Sequence, residues 1–328
     1  MGRYTSLHSG YAWKKMEVED NRTLLTDFVI VGFTTEPFLR TILFVVFLAL
    51  YILTLTGNLG LMTLIYLDSR LHTPMYFFVG SLSFLDVWYS SVYIPRILYD
   101  SLSKNNHISL AGCATQFFFS ATAGGSECFL LAFMAYDRFV AICHPLLYAT
   151  AMPKKLCVQL VLGAYAVGFA NAIIHTGNTF RLHFCGSNII NHYFCDVPPL
   201  MKMACDDKGV YEIILTTVIG FTLLAATAVI VKSYISIVAA IIRIRSAAGR
   251  RKAFSTCSAH LLSVSLYYGS MLITYSAPNS HHTVDWDKIN ALFYTVINPL
   301  VNPLIYSLRN KDVKAAFKKV WGRFIVPK

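Results

Sequence analysis

The chain alternates long apolar stretches with short polar ones along most of its length. Five stretches carry no Asp, Glu, Lys or Arg, and each has about the 20 residues that a helix needs to cross a bilayer. Two further stretches are interrupted by a few charged residues. The pattern therefore predicts an all-α membrane protein, a bundle of seven transmembrane helices. The five uncharged stretches are Thr41–Leu67, Leu156–Phe180, Ile213–Val231, Ala253–Val284 and Ile289–Leu308, and the two interrupted ones are Met75–Tyr99 and Cys113–Ile142.

The polar ends of the chain flank this bundle, which we expect to occupy residues 41–308. Residues 1–40 form a polar N-terminal tail, and residues 309–328 form a C-terminal segment. Within that segment, Lys311–Trp321 places apolar residues on one side of a helix and lysines on the other, as in helices that lie on membrane lipid. The apolar residues are Val313, Ala316, Phe317, Val320 and Trp321, and the lysines are Lys314, Lys318 and Lys319.

The charged residues predict the orientation of the bundle. Only 14% of the 328 residues are charged, against about a quarter in soluble domains, which excludes a soluble enzyme. The loops on one side carry 16 basic and three acidic residues, and the opposite side carries 11 basic and 12 acidic residues. Basic loops stay in the cytosol, so the N-terminus is expected outside and the C-terminus inside. The net charge of +11 then reflects topology and attraction to anionic lipid, and no nucleic-acid partner is expected.

Four of the eight cysteines lie on the side predicted to be extracellular, namely Cys113, Cys185, Cys195 and Cys205. An even number of cysteines on the oxidising side indicates two disulfides, and the spacing leaves all three pairings open. A metal site shared with nearby histidines is the alternative, but the chain lacks Cys-x-x-Cys spacing there. Asn21 begins an Asn-Arg-Thr sequon in the polar tail, so we expect a glycan on it.

The third apolar stretch connects the two sides of the membrane. Cys113 and Arg138 are 25 residues apart, or about 37 Å along a helix at about 1.5 Å per residue. Residues at steps of three and four share one face of this helix: Ser120, Gly124, Glu127, Leu131, Met134 and Arg138. Arg138 should avoid lipid by facing the bundle, where it can pair with Asp137 or meet a cytosolic partner.

Two longer motifs resemble those of rhodopsin-like G-protein-coupled receptors: Met134–Pro145, MAYDRFVAICHP, and Asn298–Asn310, NPLVNPLIYSLRN. Four shorter ones narrow the resemblance to the olfactory (odorant) receptor family. They are Pro74–Phe78 (PMYFF), Leu82–Asp86 (LSFLD), Ser233-Tyr234 and Lys252–Leu261 (KAFSTCSAHL). The resemblance covers about residues 25–317, with small departures such as Phe139 where the family usually has Tyr.

This resemblance implies a receptor in the plasma membrane that is not an enzyme. A small volatile odorant would activate it, and its partner would be a stimulatory heterotrimeric G protein that raises cyclic AMP. The family also implies the disulfides Cys113–Cys195 and Cys185–Cys205. The residues that would carry activation and coupling are Asp137, Arg138, Tyr234, Asn302, Pro303 and Tyr306; in this scheme Tyr306 and Tyr234 swing towards Arg138.

The resemblance also implies a ligand pocket in the outer half of the bundle. The expected lining is Phe117, Ser120, Ala121, Gly124, Gly125, Cys128, Val218, Ile219, Thr222, Tyr268, Met271, Leu272, Tyr275, Leu292 and Thr295. None of these residues is ionisable, so the expected ligand is small, neutral and mainly apolar. Ser120 stands where amine receptors carry Asp, and Val296 where visual pigments carry their retinal-bearing Lys, so the resemblance disfavours both of those subclasses and their ligands. The loop Arg181–Lys208 would cover the pocket. The small residues of the third span have a second interpretation, which is close helix packing.

Asp86 and Glu127 are acids in the middle of apolar stretches, where a charge is costly unless it is paired, hydrated or protonated. Family analogy implies a possible sodium ion between them, and no other cofactor is expected. Two carboxylates that share a proton are an alternative, and a proton relay of a transporter is a third. A transporter or channel is the competing class of function, suggested by Asp86, Glu127, His260 and the prolines of the last span. The seven spans show no inverted repeat, which argues against it.

Overall fold

The computed structural model describes residues 26–103, 105–185, 187–275, 284–308 and 310–325; at 252, 256, 274, 275, 284, 285, 308 and 321–325 it describes the backbone alone. Helices account for most of these residues, and three short strands lie at one end of the bundle. The helices are α1 Pro37–Leu67, α2 Pro74–Leu102, α3 Leu110–Cys143, α4 Tyr148–Ala151, α5 Lys154–Phe180, α6 Val197–Met203, α7 Gly209–Arg243, α8 Ala247–Tyr275, α9 Val284–Leu292, α10 Asn298–Leu308 and α11 Lys311–Ile325; the strands are β1 Asp27–Ile30, β2 His107–Ser109 and β3 Ile189–Ile190.

Among the described residues, five helices are long and apolar enough to cross a membrane: α1, α2, α3, α5 and α7. A further candidate is the bent segment that joins Trp286–Ser307 to Lys311–Val320. Helix α8 is less apolar because Arg250 and Arg251 lie in its first turns and Ser and Tyr recur along it. The predicted helical membrane bundle is confirmed.

Several helices extend past the apolar stretches that predicted them. Helix α1 begins at Pro37, inside the tail predicted over residues 1–40, and proline suits this first helical position. Its Arg40 donates hydrogen bonds to the carbonyl oxygens of Asp100 and Ser103 at the end of α2. Helix α7 continues from the predicted end at Val231 to Arg243. The predicted bounds were too short because they stopped at the first charged residue. A helix can continue past that residue and beyond the bilayer.

The last predicted span, Ile289–Leu308, is interrupted in the structure. A π-helical turn, Phe293–Ile297, separates α9 from α10. Such turns are rare and frequently occur at functional sites. Pro303 lacks the N–H group that would bond the carbonyl of Pro299. The side-chain amide of Asn58 on α1 donates to that carbonyl instead, at 2.9 Å. The backbone bond that proline removes is therefore replaced by a contact between two helices.

Helix α3 lies at the centre of the bundle. In its most apolar stretch 67% of the residues are buried, against 11% in α1. The face predicted from its periodicity is confirmed, since Ser120, Glu127, Leu131, Met134 and Arg138 are all buried. This central helix contacts both ends of the bundle and therefore links them.

Helices α3 and α5 pack very closely at two glycines. A Cβ atom on Gly168 would lie 2.2 Å from the Ser126 Oγ, and one on Gly125 would lie 3.0 Å from the Gly168 Cα. Contacts below 3.0 Å do not occur for real Cβ atoms, so α5 could not lie this close with a larger residue at 168. Gly125 thus serves helix packing as well as lying beside the cavity described below.

The end of the bundle that holds Cys113, here called the disulfide face, is closed by a small sheet and a folded loop. Strand β1 pairs antiparallel with β2 and parallel with β3, and the side chains of Phe28 and Ile30 are fully buried beneath the loop. The polar tail was not predicted to contain a strand. The structure forms the disulfides Cys113–Cys195 and Cys185–Cys205, with Cα atoms 5.6 and 6.0 Å apart; the first ties the loop to the start of α3.

The opposite end, here called the Arg138 face, carries the amphipathic helix α11. The predicted helix is amphipathic, with Lys314, Lys318 and Lys319 exposed. Of its apolar residues, Val313 and Ala316 are buried against the bundle, whereas Phe317 is exposed. Asp68 accepts two hydrogen bonds from the Arg70 guanidinium, at 3.0 and 2.7 Å, and lies 3.5 Å from the Lys319 ammonium. These bonds hold the pKa of Asp68 well below its usual value. They join the α1–α2 turn to α11.

Candidate ligand cavity and switch residues

A cavity of about 130 Å³ lies below the loop of the disulfide face, between α2, α3, α5, α7 and α8. Most of the side chains around it are aromatic or aliphatic, with a few hydroxyl, amide and ionisable groups among them. This composition is that of a small-molecule site. The lining residues are Tyr89, Tyr93, Phe117, Ser120, Ala121, Gly124, Gly125, Cys128, Asn171, His175, Asp196, Val197, Leu215, Ile219, Thr222, Leu223, Tyr267, Met271 and Tyr294.

The structure places the predicted pocket residues in two groups. Nine line the cavity: Phe117, Ser120, Ala121, Gly124, Gly125, Cys128, Ile219, Thr222 and Met271. Of the others, Val218 and Leu292 do not line it, and Leu272 is 59% exposed on the outside of α8. Tyr268 and Thr295 lie behind the residues of the lining. The Tyr268 hydroxyl donates to the Cys128 carbonyl, and the Thr295 hydroxyl is hydrogen-bonded to the Tyr193 hydroxyl. The Tyr275 side chain is outside the described residues.

The sequence prediction missed ten residues of the lining, and two of them are ionisable. Asp196 and His175 face a cavity that was expected to have no ionisable group. The sequence held a signal for Asp196, because it follows Cys195 directly. The disulfide from Cys195 to Cys113 brings that part of the loop over the start of α3.

Asp196 is buried at the junction of the loop with α6. One carboxylate oxygen accepts the backbone N–H of Val197 at 2.8 Å, and the other accepts the Tyr294 hydroxyl at 3.1 Å. Burial raises the pKa of this carboxyl group, and the two hydrogen bonds oppose that effect. Asp196 thus begins a helix, holds the π-helical turn through Tyr294 and lines the cavity.

The two mid-span acids lie in the core of the bundle, where Asp86 and Glu127 are 1% and 3% exposed. Both carboxylate oxygens of Asp86 lie within hydrogen-bond reach of the Asn302 amide nitrogen, at 3.1 and 3.2 Å. The Asn302 amide oxygen in turn accepts the Ser263 hydroxyl at 2.8 Å. The Oε1 atom of Glu127 is buried without a hydrogen-bond partner. No cluster of three His, Cys, Asp or Glu that could hold a metal occurs within the described ranges.

At the Arg138 face, Arg138 pairs with its neighbour on α3. Its guanidinium donates to Asp137 at 3.0 and 2.5 Å, and both residues are buried. The second oxygen of Asp137 accepts the hydroxyl of Tyr148, at 2.7 Å, from the short helix α4. Tyr148 was not predicted as part of this group. The arginine is therefore held to its own helix, and the aspartate is held to the loop that follows it.

A second group of bonds at this end connects three helices through His260. The Tyr234 hydroxyl on α7 and the His260 Nδ1 on α8 are 2.6 Å apart, and the His260 Nε2 lies 3.0 Å from the carbonyl of Leu131 on α3. Tyr306 of α10 is buried nearby in the core. Apart from its place in the KAFSTCSAHL motif, His260 was predicted only in support of a transporter. Its side chain instead fixes α8 against α3 and α7.

Comparison with known proteins decides what this bundle is. A family model described as olfactory receptor matches residues 47–323. The chain belongs to the olfactory receptor family. It is 58% identical to human olfactory receptor 9G4 over 95% of this chain and 96% of that protein. It is 52% identical to mouse olfactory receptor 5AR1 over 93% and 98%, and 53% identical to mouse olfactory receptor 9G19 over 92% and 99%.

Members of this family are odorant-sensing, G-protein-coupled receptors, and they are not enzymes. The protein is therefore a multi-pass membrane receptor of this kind. The family implies seven spans, so α8 and the broken segment α9–α10 are the sixth and seventh. Coupling to a G protein that raises cyclic AMP is the general mechanism of the family. The transporter interpretation of Asp86, Glu127 and His260 is set aside.

Proposed function

We propose that this olfactory receptor lies in the plasma membrane with its disulfide face outside and its Arg138 face in the cytosol. The excess of basic loops on the Arg138 face supports this orientation, as do the disulfides, which persist in oxidising compartments. The glycan expected on Asn21 would then be extracellular; that residue lies outside the described residues. The lysines of α11 would face the anionic inner leaflet, and its exposed Phe317 would lie in the lipid boundary.

A small, neutral and mainly apolar odorant binds in the cavity below the loop and activates a stimulatory heterotrimeric G protein at the Arg138 face. The observation that carries this proposal is that one helix contacts both places. Ser120 lines the cavity and Arg138 is buried at the other face, 18 residues further along α3. They are therefore about 27 Å apart along the axis.

An odorant acts by binding the active arrangement of the bundle more tightly than the resting one, since a ligand with equal affinity for both shifts nothing. The active arrangement has α8 displaced from α3 and α7, which opens a crevice to the G protein. The bonds that resist this displacement join His260 to Tyr234 and Leu131, and Ser263 to Asn302. Met271 and Tyr267 of α8 line the cavity, so a ligand there contacts the helix that must move.

Sodium is proposed as a ligand of Asp86 and Glu127 in the resting bundle. The residues fit a hard cation, because two buried carboxylates supply oxygen ligands and the Oε1 of Glu127 has no hydrogen-bond partner. Bound there, the ion would neutralise the two acids. A proton shared between the carboxylates would satisfy the same group.

A cyclic-AMP reporter in cells that display a measured amount of receptor tests the proposal. A chemically diverse odorant panel should include compounds that raise cyclic AMP in a dose-dependent manner, and cells without the stimulatory G-protein α subunit should not respond. Ligand-dependent current or uptake in liposomes that contain the purified receptor and no G protein would contradict it.

A further inference from the structure

Three hydroxyl groups of the cavity lining direct their protons to backbone carbonyls of the protein. The hydroxyls of Ser120 and Thr222 donate to the carbonyls of Phe117 and Val218, at 2.8 Å each. The Tyr267 hydroxyl donates to the Gly124 carbonyl at 2.6 Å. A hydroxyl has one proton, so each of these groups has no further donor to offer a ligand.

Two other polar groups of the lining follow the same pattern. The Tyr294 hydroxyl donates to Asp196 at 3.1 Å, and the side-chain amide of Asn171 donates to the Thr222 hydroxyl at 2.9 Å. These donors are directed towards protein atoms, whereas the Nδ1 of His175, which also lines the cavity, has no hydrogen-bond partner. A ligand whose polar group can only accept, such as an aldehyde or an ether, can therefore meet neutral donors at most in the described lining, and no charged group that donates to it.

Asp196 is the strongest acceptor at the cavity. The hydrogen bonds from Val197 and Tyr294 favour the ionised form of this carboxyl group against the effect of burial. In that form it has about four acceptor sites, and these two bonds occupy two of them. Within the described part of the chain, Asp196 makes no salt bridge and no Lys or Arg lines the cavity. A buried carboxylate without a cation gains most from a new donor, because hydrogen bonds to charged groups are about twice as strong as neutral ones.

Aromatic side chains surround the same acid. Tyr93, Phe117 and Tyr294 line the cavity with it, and aromatic faces attract cations. A carboxylate among aromatic rings can bind the hydroxyl group of a ligand, and it binds an ammonium group more tightly. It repels a carboxylate ligand, because two like charges in a dry site destabilise each other.

We propose that the cavity selects compact ligands that carry a hydrogen-bond donor, a hydroxyl or a protonated amine, on an apolar body, and that Asp196 is the residue that accepts it. This inference rests on the proposed function, since it assigns the chemistry of the same site. It extends the expected neutral ligands to small amines, which the absence of an acid at Ser120 had disfavoured.

Four compounds with one carbon skeleton test the selection: benzyl alcohol, benzylamine, benzaldehyde and benzoic acid. Their ring suits the cavity, since an apolar cavity of about 150 Å³ in another protein holds benzene. In the cyclic-AMP assay, half-maximal concentrations for the alcohol and the amine should be about ten- to a hundredfold below that for the aldehyde, the range expected for one hydrogen bond to a charged group. Benzoic acid should give no response.

The variant Asp196→Asn tests whether Asp196 is the residue that causes the preference for ligands with a hydrogen-bond donor. Asn keeps the size of the side chain and is an equally good helix N-cap, so α6 should still begin there. The variant should lose most of the response to benzylamine, which needs the charge, and less of the response to benzyl alcohol, which the amide oxygen still accepts. The preference for amine over aldehyde should fall by at least about tenfold.

Asp206→Asn is the matched control. It makes the same chemical change on the same loop, at a partly exposed aspartate that pairs with His183 and does not line the cavity. Its dose–response curves should equal those of the unmodified receptor after normalisation to surface amount. Tyr294→Phe is a second test that keeps the cap: it frees one acceptor site on Asp196, so the alcohol and the amine should become at least as potent as before.

Equal potency of benzaldehyde and benzyl alcohol in the unmodified receptor would overturn the inference and leave the proposed function intact. An unchanged preference in Asp196→Asn would overturn the role of Asp196. If Asp196→Asn does not reach the cell surface, Tyr294→Phe decides. A loss of response to both benzyl alcohol and benzylamine in Tyr294→Phe would overturn the role of Asp196. A receptor at the surface that answers a broad odorant panel but neither donor compound also contradicts the inference. Silence towards every odorant contradicts the proposed function, and the inference falls with it.

Discussion

Arg138 is the residue at which the proposed coupling is most directly tested. It is buried beside Asp137 and lies about 27 Å from Ser120 along α3. Arg138→Ala should therefore abolish the cyclic-AMP response and leave odorant binding within about twofold, since the cavity is remote. Binding of a radiolabelled or fluorescent agonist to isolated membranes measures the second quantity.

Arg70→Ala is a suitable control for this change, because Arg70 lies on the same face and also pairs with an adjacent aspartate, Asp68. It should retain signalling. Full cyclic-AMP signalling by Arg138→Ala at equal surface amount would show that Arg138 is not the switch.

Gly124 and Gly125 are neighbours whose substitution should have different effects. A Cβ on Gly124 meets only the Tyr267 hydroxyl and the Tyr89 ring, at 3.8 and 3.9 Å, whereas a Cβ on Gly125 meets the backbone of Gly168 at 3.0 Å. Gly124→Leu should place its side chain in the cavity and weaken larger odorants more than smaller ones. Overfilling typically costs about 1–3 kcal/mol, or roughly ten- to a hundredfold in potency.

Gly125→Leu should instead force α3 and α5 apart, lower the surface amount and diminish every response in proportion. Dose–response curves for an agonist series of rising chain length, normalised to surface receptor, separate the two effects. A loss in Gly124→Leu that is independent of ligand size would mean that Gly124 also serves packing.

His192 should make the disulfide face sensitive to acid. Burial, together with the charges of Lys288 and Lys202, lowers the pKa of His192 to about 3, against about 6.5 in an unfolded chain. The unfolded chain therefore binds a proton more readily as pH falls below 6.5, and folding loses up to about 1.4 kcal/mol per pH unit between 6.5 and 3. Above 6.5 this contribution is constant.

Thermal unfolding of the purified receptor at pH 7.5 and 5.5 measures the effect of His192. His192→Gln should lose less stability on acidification than the unmodified receptor, whereas His183→Gln, at a half-exposed histidine, should behave like the unmodified receptor. Equal acid sensitivity with and without His192 would contradict the assignment.

At the scale of elements, the disulfides determine how firmly the loop covers the cavity. Cys113–Cys195 closes a separation of 82 residues and Cys185–Cys205 one of 20. By loop-closure entropy, the longer separation contributes about 1 kcal/mol more to stability. Removing Cys113–Cys195 also releases Asp196 from above α3.

Replacing Cys113 and Cys195 by Ser should consequently reduce surface expression more than replacing Cys185 and Cys205. Flow cytometry of intact cells compares the two pairs, with the free Cys143→Ser as control. Peptide mapping that finds Cys113 as a free thiol would reject the pairing.

At the scale of the whole molecule, Asp86 and Glu127 are proposed to bias the equilibrium between resting and active bundles. If sodium binds between them at rest, replacing sodium by N-methylglucamine should raise basal nucleotide exchange on the G protein. Glu127→Gln should remove this dependence, while Glu212→Gln, at an exposed glutamate in the first turn of α7, should retain it. Basal exchange that is independent of sodium would favour a shared proton.

The sequence by itself determined the class of fold, because a bilayer imposes a simple length and polarity requirement on each helix. It also determined the buried face of α3, from Ser120 to Arg138, since helical periodicity alone fixes which side chains share a face. The family motifs identified the function. Strand β1 in the polar tail and the π-helical turn Phe293–Ile297 could not be predicted, because both depend on partners distant in the chain.

Tertiary structure alone decided the polarity of the cavity. Asp196 and His175 reach it from a loop and from α5, and the lining inferred from the resemblance contained neither. The protons of Ser120, Thr222 and Tyr267 were likewise assigned only once their carbonyl acceptors were in place. Local pattern fixes which residues enter the membrane, whereas the hydrogen bonds left for a ligand depend on which groups the folded chain has already satisfied.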